Sequence, residues 1–557
     1  MVHQFILCYL LCLLTPLIGQ AIGTDLSYIL IDIIDQTLSH QIELNDTKSQ
    51  PSIIDEKIHL GHVGSFHHSN PFKKIGKTSK EAHLPYDTLI IQSPRNRHQY
   101  IGLLAQNIQI DYTSHRITFY INPQARFHNG QAVTAKDVKA SIEHMITQGP
   151  WHYRHLQDLK PKITNQNNHT LLIECTQPIN LDNLVSFGLI PIAQANSLDQ
   201  QYPVGSGPYS HHSSHIGSQT TFKKQPDYWA KDMNFLKSYY NFDQVISLYY
   251  RNQHTALEAF KRHEYDFRVE YYHENWIQLQ KFNKKKTDLN LVTNEEIKPI
   301  HMQGLMFNLS HKPWHDKEMR KALANCFDFE KLNTSLFHNR YQRITSYFTH
   351  TPYQAQKNYQ KPQHENALIV LDKKLSKAGW VVENHRRQHR ITGEKLTITL
   401  LIPHNHTEKV AHFFAQGLSD IGIEVIIQSF EPSQYLQALK QGAFDLAYTH
   451  LTHNPLSTSS LKNIWLTHSH PLSIANLAHI NDTEINTLLT HLENQPEKKD
   501  KITTLKKLDN YLLDQYFIIP FWYQNQELLA YWNTIQKPES YHSHQAWLGF
   551  TPTQRYR

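Results

Sequence analysis

Thirty-nine histidines in 557 residues make metal chelation the first chemistry to weigh. Close pairs occur at His67-His68, His404-x-His406, His450-x-x-His453, His468-x-His470 and His542-x-His544. An i,i+3 pair on a helix, or an i,i+2 pair on a strand, can hold zinc or nickel. Yet His-Glu-x-x-His is absent, no Cys/His group has zinc-site spacing, and so many histidines produce close pairs by chance. If a metal is bound, His404 and His406, just past a strand, are the pair expected to hold it. A second chemical temptation is Tyr202-Pro203-Val204-Gly205-Ser206-Gly207-Pro208-Tyr209. Gly-Ser-Gly lacks the outer spacing of a nucleophile elbow, and no Gly-Lys-Ser/Thr follows to cradle a phosphate. The glycines and Pro208 instead suit a hinge or cleft-edge turn. The acid pairs Glu295-Glu296 and Asp482/Glu484 read as surface charges, and no nucleophile–base signature stands out. No catalytic residue and no cofactor are expected.

The elements that would position such residues are mixed α/β. Arg116 to Ile121 and Thr170 to Cys175 read as strands, and Ala135 to Thr147 reads as a helix. Before that helix come a turn at Asn129-Gly130 and a cap at Thr134. Asp137, three residues on, can reach back to the cap while the Thr134 hydroxyl meets a free backbone N–H. Leu396 to Ile402 and Glu424 to Gln428 read as strands around a helix, Thr407 to Ile421. There Val410, Phe413, Phe414 and Leu418 fall on one face, which makes a βαβ unit and a partly parallel sheet. No internal repeat, low-complexity linker or heptad pattern occurs.

At 557 residues the chain is too long for one core and implies two or three lobes. Hydrophobic residues make up 39%, charged residues 19%, and the mean hydropathy is −0.55, as in soluble globular proteins. A net charge of +6 is small for this length. Lys284-Lys285-Lys286 and Arg386-Arg387 are short solvated turns, so no nucleic-acid footprint is present. Phe5 to Ile18 is an apolar run too short for a comfortable membrane span and suited to a signal peptide, with cleavage after Ala21 or Gly23. Its leading residues include His3 but no Lys or Arg. Cys8 and Cys12 lack the small preceding residue of a lipoprotein site, so export as a soluble protein is expected. Cys175 and Cys326 remain, and two buried free thiols are the expectation. The aromatics Trp465, Trp522, Tyr523, Tyr531, Trp532 and Trp547 concentrate near the C-terminus, where rings with polar tips suit either a ligand cleft or a core.

The string Phe127-His128-Asn129-Gly130-Gln131-Ala132-Val133-Thr134-Ala135-Lys136-Asp137-Val138 resembles the signature of the family 5 extracellular solute-binding proteins, the peptide- and nickel-type receptors of ABC importers. The glycine turn at 205–209 resembles that family too. Further matches follow in order and point to its YejA-type, oligopeptide-binding branch: Gly64 to Phe72, Tyr86-Asp87-Thr88-Leu89, Gly102 to Ala105, Tyr240 to Asp243 and Ala256 to Lys261. Tyr265 to Glu270, Met302 to Asn308, Met319 to Leu323, Cys326 to Glu330, Ser346 to Phe348, Ala378-Gly379-Trp380 and Ile519 to Tyr523 complete the series.

The resemblance implies a class II periplasmic-binding-protein fold, α/β, with two lobes of mixed sheets and an inserted subdomain in lobe one. The expected plan is a signal peptide at 1–23, an N-terminal arm at 24–56, and lobe one at 57–85 and 205–300 with its insert at 86–204. Lobe two takes 301–514, and the chain returns to lobe one at 515–557. The implied function is an exported, periplasmic, monomeric receptor that is not an enzyme. It would close on an oligopeptide or modified peptide and deliver it to a membrane permease powered by a separate ATPase. Relatives commonly hold the peptide amine with a second-lobe aspartate, but His450 to Ser460 contains no acid. Ser429 to Tyr435 also lacks the branch's arginine. A buried ammonium without a partner is costly, so the amine anchor is moved, replaced or unnecessary. The ligand-binding candidates are Asn70, Lys77, Asn308, His450, Trp465 and Asn476, with the amides suited to peptide groups and Lys77 to a carboxylate. Three alternatives stay open: the same fold binding a metal or metal-chelate, an exported metal-dependent hydrolase, and a receptor that has lost transport and acts as a sensor.

Overall fold

Extended chain after the Asn129-Gly130 turn ends at Thr134, and the helix Ala135–Thr147 starts there as expected. Gly130 takes φ +80, which the turn requires and which a Cβ would strain. The Thr134 N–H donates to Asp137 Oδ2 at 3.0 Å, and the Thr134 hydroxyl donates to the same oxygen at 2.6 Å. The capping box read from the sequence thus forms, the Thr134 side chain meeting the Asp137 backbone N–H while the carboxylate reaches back to the cap, and Asp137 also accepts Ala195 N–H at 2.9 Å. Ala135, Val138, Ile142, Met145 and Ile146 fall on one helical face and are buried.

The computed structural model describes residues 56–93, 99–150, 153, 156–179, 181–284, 288–295, 300–355, 364–404, 407–451, 458–466, 473–493, 498–539, 541 and 546–553. The signal peptide and nearly all of the N-terminal arm lie outside these residues. No described helix is long and apolar enough to cross a membrane.

The chain divides into two compact units. The first comprises Met1–Phe267 and Thr534–Arg557. In it, Lys57–Val63 runs parallel to Gln244–Tyr250, which is antiparallel to Gln219–Lys224, with Tyr209–His215 outermost. A separate antiparallel sheet orders Ala105–Asp111, Arg116–Ile121, Thr170–Glu174 and Lys162–Asn167. The buried alternate residues Ile117, Phe119 and Ile121 pack with the buried face of the helix Ala135–Thr147. This sheet and its helices form the expected inserted subdomain.

The second unit comprises Arg268–Asn533. Its five-stranded sheet runs Glu424–Phe430, Thr397–Pro403, Leu446–His450, Gln303–Phe307, Ile518–Pro520. The first two are parallel in register from Thr397↔Glu424 to Pro403↔Phe430 and flank the helix Thr407–Ser419, which is the βαβ unit read from the sequence. Val410, Phe414 and Leu418 are buried against the sheet and Phe413 is partly so. Gln303–Phe307 is antiparallel to both neighbours. Leu289–Glu295 pairs with Gln526–Trp532 from Leu289↔Trp532 to Glu295↔Gln526, which ties both strands into this unit. The compact units thus part after 267 and 533, where the sequence reading parts its lobes after 300 and 514.

Candidate functional site

In the first unit, Asn70 and Lys77 lie on the loop after Lys57–Val63. Asn70 is 2% exposed. Its Nδ2 donates to the Gln200 and Gln201 carbonyls, both at 3.2 Å, and its Oδ1 accepts Phe72 N–H at 2.8 Å. That amide braces the loop. Lys77 is exposed; its backbone N–H donates to His67 Nδ1 at 2.8 Å. Its ammonium overhangs Gly64, where an added Cβ would stand 2.8 Å from Nζ. His68 Nε2–H donates to Ile75 O at 3.0 Å, so both rings of the His67-His68 pair tie down this loop.

In the second unit, Asn308 is fully buried. It donates to Gly442 O at 3.0 Å and Phe444 O at 2.9 Å, and its Oδ1 accepts the Ser310 N–H and hydroxyl. Leu309 N–H bonds Ala478 O at 2.9 Å, which brings Asn308 near the short helix Ile474–Leu477 carrying half-buried Asn476. Trp465 is 3% exposed, its ring centroid 5.5 Å from Tyr347 and 6.1 Å from Phe517. His450 sits elsewhere. Gln303 faces His450 while Phe307 faces Leu446. At about 3.4 Å per residue, Asn308 and His450 lie roughly 17 Å apart, at opposite strand ends. The structure therefore brings Asn308 and Asn476 into one neighbourhood and leaves His450 in another.

The richer polar group surrounds His450. Gln303 Nε2 donates to Trp522 O at 2.6 Å, and Tyr448 hydroxyl donates to Gln303 Oε1 at 3.1 Å. Tyr523 hydroxyl donates to Gln342 Oε1 at 2.7 Å and lies 3.3 Å from His350 Nε2. The His301 and His450 ring centroids are 6.1 Å apart. Burial lowers the His301 pKa, with the nearby His450 adding to the effect, and desolvation lowers that of exposed His450. Burial raises those of Tyr448 and Tyr523. At neutral pH this face is made of uncharged imidazoles, phenols and amides beside the half-buried Trp522 ring. Such groups can donate and accept with peptide amides, and neutral imidazoles can also ligate a metal. The C-terminal aromatic concentration pointed to Trp522 and Tyr523. Tyr448, Gln342 and His301 carried no sequence signal, and Gln303 only its place in the Met302 to Asn308 match, because contacts between distant segments assemble them.

His404 Nδ1 lies 2.8 Å from Glu408 Oε1 and 3.3 Å from Ser429 Oγ. His406, His453, His468, His470, His542 and His544 lie outside the described residues. Among the described residues no group of three or more His, Cys, Asp or Glu is placed to hold a metal. Cys175 and Cys326 are buried and free, as expected, and burial pushes their thiols up to about 11 and about 12.

The profile of the bacterial extracellular solute-binding proteins, family 5 middle, matches residues 99–471. An uncharacterized protein YejA from Escherichia coli is 27% identical over 523 residues, covering 86% of each chain. A probable peptide-binding protein YejA from Agrobacterium fabrum is 25% identical, covering 87% of this chain and 86% of its own. Among solved structures, NikA from Brucella suis in complex with Fe(III)-EDTA superposes with a TM-score of 0.72 at 17% identity, covering 87% of this chain and 96% of its own. DppA from Helicobacter pylori in complex with the peptide STSA superposes with a TM-score of 0.70 at 17% identity, covering 90% and 99%. These likenesses establish the periplasmic-binding-protein fold.

Proposed function

The chain belongs to the bacterial extracellular solute-binding proteins of family 5, the substrate-binding proteins of ABC importers, and from that premise we propose that it captures oligopeptides or modified peptides and delivers them to a membrane permease. Export through the N-terminal apolar segment, action in the periplasm and a monomeric state belong to the same reading. The observation that carries it is the uncharged hydrogen-bonding face of Gln303, Tyr448 and His450 beside the Trp522 ring. Amides recognised by amides, phenols and neutral imidazoles give affinity for the peptide backbone with little demand on its side chains. The relative from Agrobacterium fabrum, a probable peptide-binding protein, and Helicobacter pylori DppA, in complex with the peptide STSA, support the ligand class.

A second reading keeps the fold and makes the ligand a metal-chelate. It is favoured by the His301–His450 pair, two neutral imidazoles with ring centroids 6.1 Å apart. Native mass spectrometry of protein purified gently from its export compartment, and again after unfolding and refolding, separates the two. A carried mass of several hundred daltons that disappears on refolding and fragments as a peptide supports the first reading. A metal-containing adduct replaces it with the second. In a bare protein, no uptake of added tetrapeptides overturns the first reading, and no uptake of an added nickel chelate overturns the second.

A further inference from the structure

The helix His273–Asn283 opens on a buried imidazole with nothing to bond, although the His273 backbone is hydrogen-bonded to the Tyr341 hydroxyl. His273 is 5% exposed, and neither ring nitrogen has a hydrogen-bond partner among the described residues. Asn275 Nδ2, two residues on, is likewise buried and unpartnered. Each such group keeps its desolvation penalty unless a polar group meets it.

The surrounding charges have a clear surplus. Arg268 and Glu270 pair at 2.6 Å, and Glu270 also accepts Tyr272 N–H at 2.8 Å. Glu274 is engaged by Lys409 at 3.1 Å. Arg340 and His338 are exposed and lie close enough for their charges to act on His273. No carboxylate pairs with Arg340 among the described residues. The N-terminus of an 11-residue helix adds its own positive end. What remains uncompensated is positive.

This corner adjoins the face already described. Tyr341, next to Arg340, has its ring centroid 6.1 Å from that of Trp522, whose carbonyl receives Gln303 Nε2. We propose that His273, Asn275 and Arg340, at the N-terminus of the helix His273–Asn283, bind the carboxylate of a peptide ligand whose amides lie over Gln303 and Tyr448. The inference rests on the peptide-receptor reading above. It also gives the missing amine-binding acid a counterpart: this receptor anchors its ligand by the acidic end.

The test uses the full mature protein and three random tetrapeptide mixtures in titration calorimetry. One is free-acid and lacks Asp and Glu, one is its C-terminally amidated form, and one is amidated with a single Glu. The free-acid mixture is expected to bind at least about tenfold more tightly than the amidated one. Because His273 is buried, exposed Arg340 carries the mutational arm. Arg340→Gln is expected to reduce the acid-over-amide ratio to within about twofold. Recovery of tight binding by the Glu-containing amides shows that the site also accepts a side-chain carboxylate, and no recovery shows that it is confined to the C-terminal one. Equal binding of acid and amide, or an unchanged ratio in Arg340→Gln, overturns this inference and leaves the peptide reading standing. Binding of none of the mixtures overturns the peptide reading, and this one with it.

Discussion

His128 holds Gly205 and Gly207 from one position: its backbone N–H donates to Gly205 O at 2.8 Å, and its ring Nε2 lies 2.9 Å from Gly207 O. The turn it grips is pressed against Leu84 to Tyr86. A Cβ added at Gly205 would stand 1.8 Å from Pro85 O, and one at Gly207 would stand 2.4 Å from Leu84 O. Two strings far apart in sequence thus form one joint between the inserted subdomain and the rest of its unit. Gly205→Ala is expected to lose about 3 kcal/mol or more, since backbone must move. His128→Ala should lose about 2 kcal/mol. Urea melts measure both, and a Gly205→Ala midpoint equal to wild type would refute the packing account.

Asp87 gives the protein a pH dependence with a definite sign. Its carboxylate accepts Tyr228 hydroxyl at 2.9 Å and Trp229 Nε1–H at 2.7 Å, yet burial outweighs both bonds and pushes its pKa up to about 7. The folded state therefore holds this proton more tightly than the unfolded chain. Stability from this group is highest below about pH 4, falls as pH rises toward 7, and is flat above. Asp87→Asn imitates the protonated form, because Asn can accept from Trp229 while donating to the Tyr228 oxygen. Thermal melts from pH 5 to pH 8 should show the variant gaining on wild type as pH rises. A constant difference would contradict the assignment.

Asn308 and His450 should separate stability from binding. Removing the Asn308 amide leaves Gly442 O and Phe444 O without their donor, so Asn308→Ala is expected to cost roughly 2–4 kcal/mol. His450 is exposed at its strand end, and His450→Ala should leave Tm nearly unchanged while weakening tetrapeptide binding several-fold. Calorimetry and melts on the same samples decide the matter. Wild-type affinity in His450→Ala would remove it from the site.

Asp509 pins the segment from Ser346 to Ala355. It accepts Ser346 hydroxyl at 2.6 Å, Tyr347 N–H at 2.8 Å and Ala355 N–H at 2.7 Å. Asp509→Ala orphans three buried donors and should cost about 3–5 kcal/mol. Asp509→Asn should recover only part of this, because one N–H would then face another. Chemical denaturation of both variants checks the order, and equal stability of the two would argue against it.

Local residue pattern was enough to place the secondary elements and to point to the family. Arg116–Ile121 and Ala135–Thr147 form where alternation and helical spacing placed them, and 397–430 folds as the strand–helix–strand unit its pattern required. Such features depend on residues within a few positions of one another, so the chain carries them openly. What each polar side chain is for depends on long-range packing. Asn70 and Asn308 looked like ligand amides, but their hydrogens go to the carbonyls of residues 200–201 and 442–444. Trp465 looked like a cleft aromatic and lies in the core. Gln303 gave no sign of a ligand role, yet antiparallel pairing sets it opposite His450 and within reach of Tyr448 and Trp522. A buried polar group must find a partner wherever the fold supplies one, and those partners are assigned by strand register and packing over distances that no local pattern encodes.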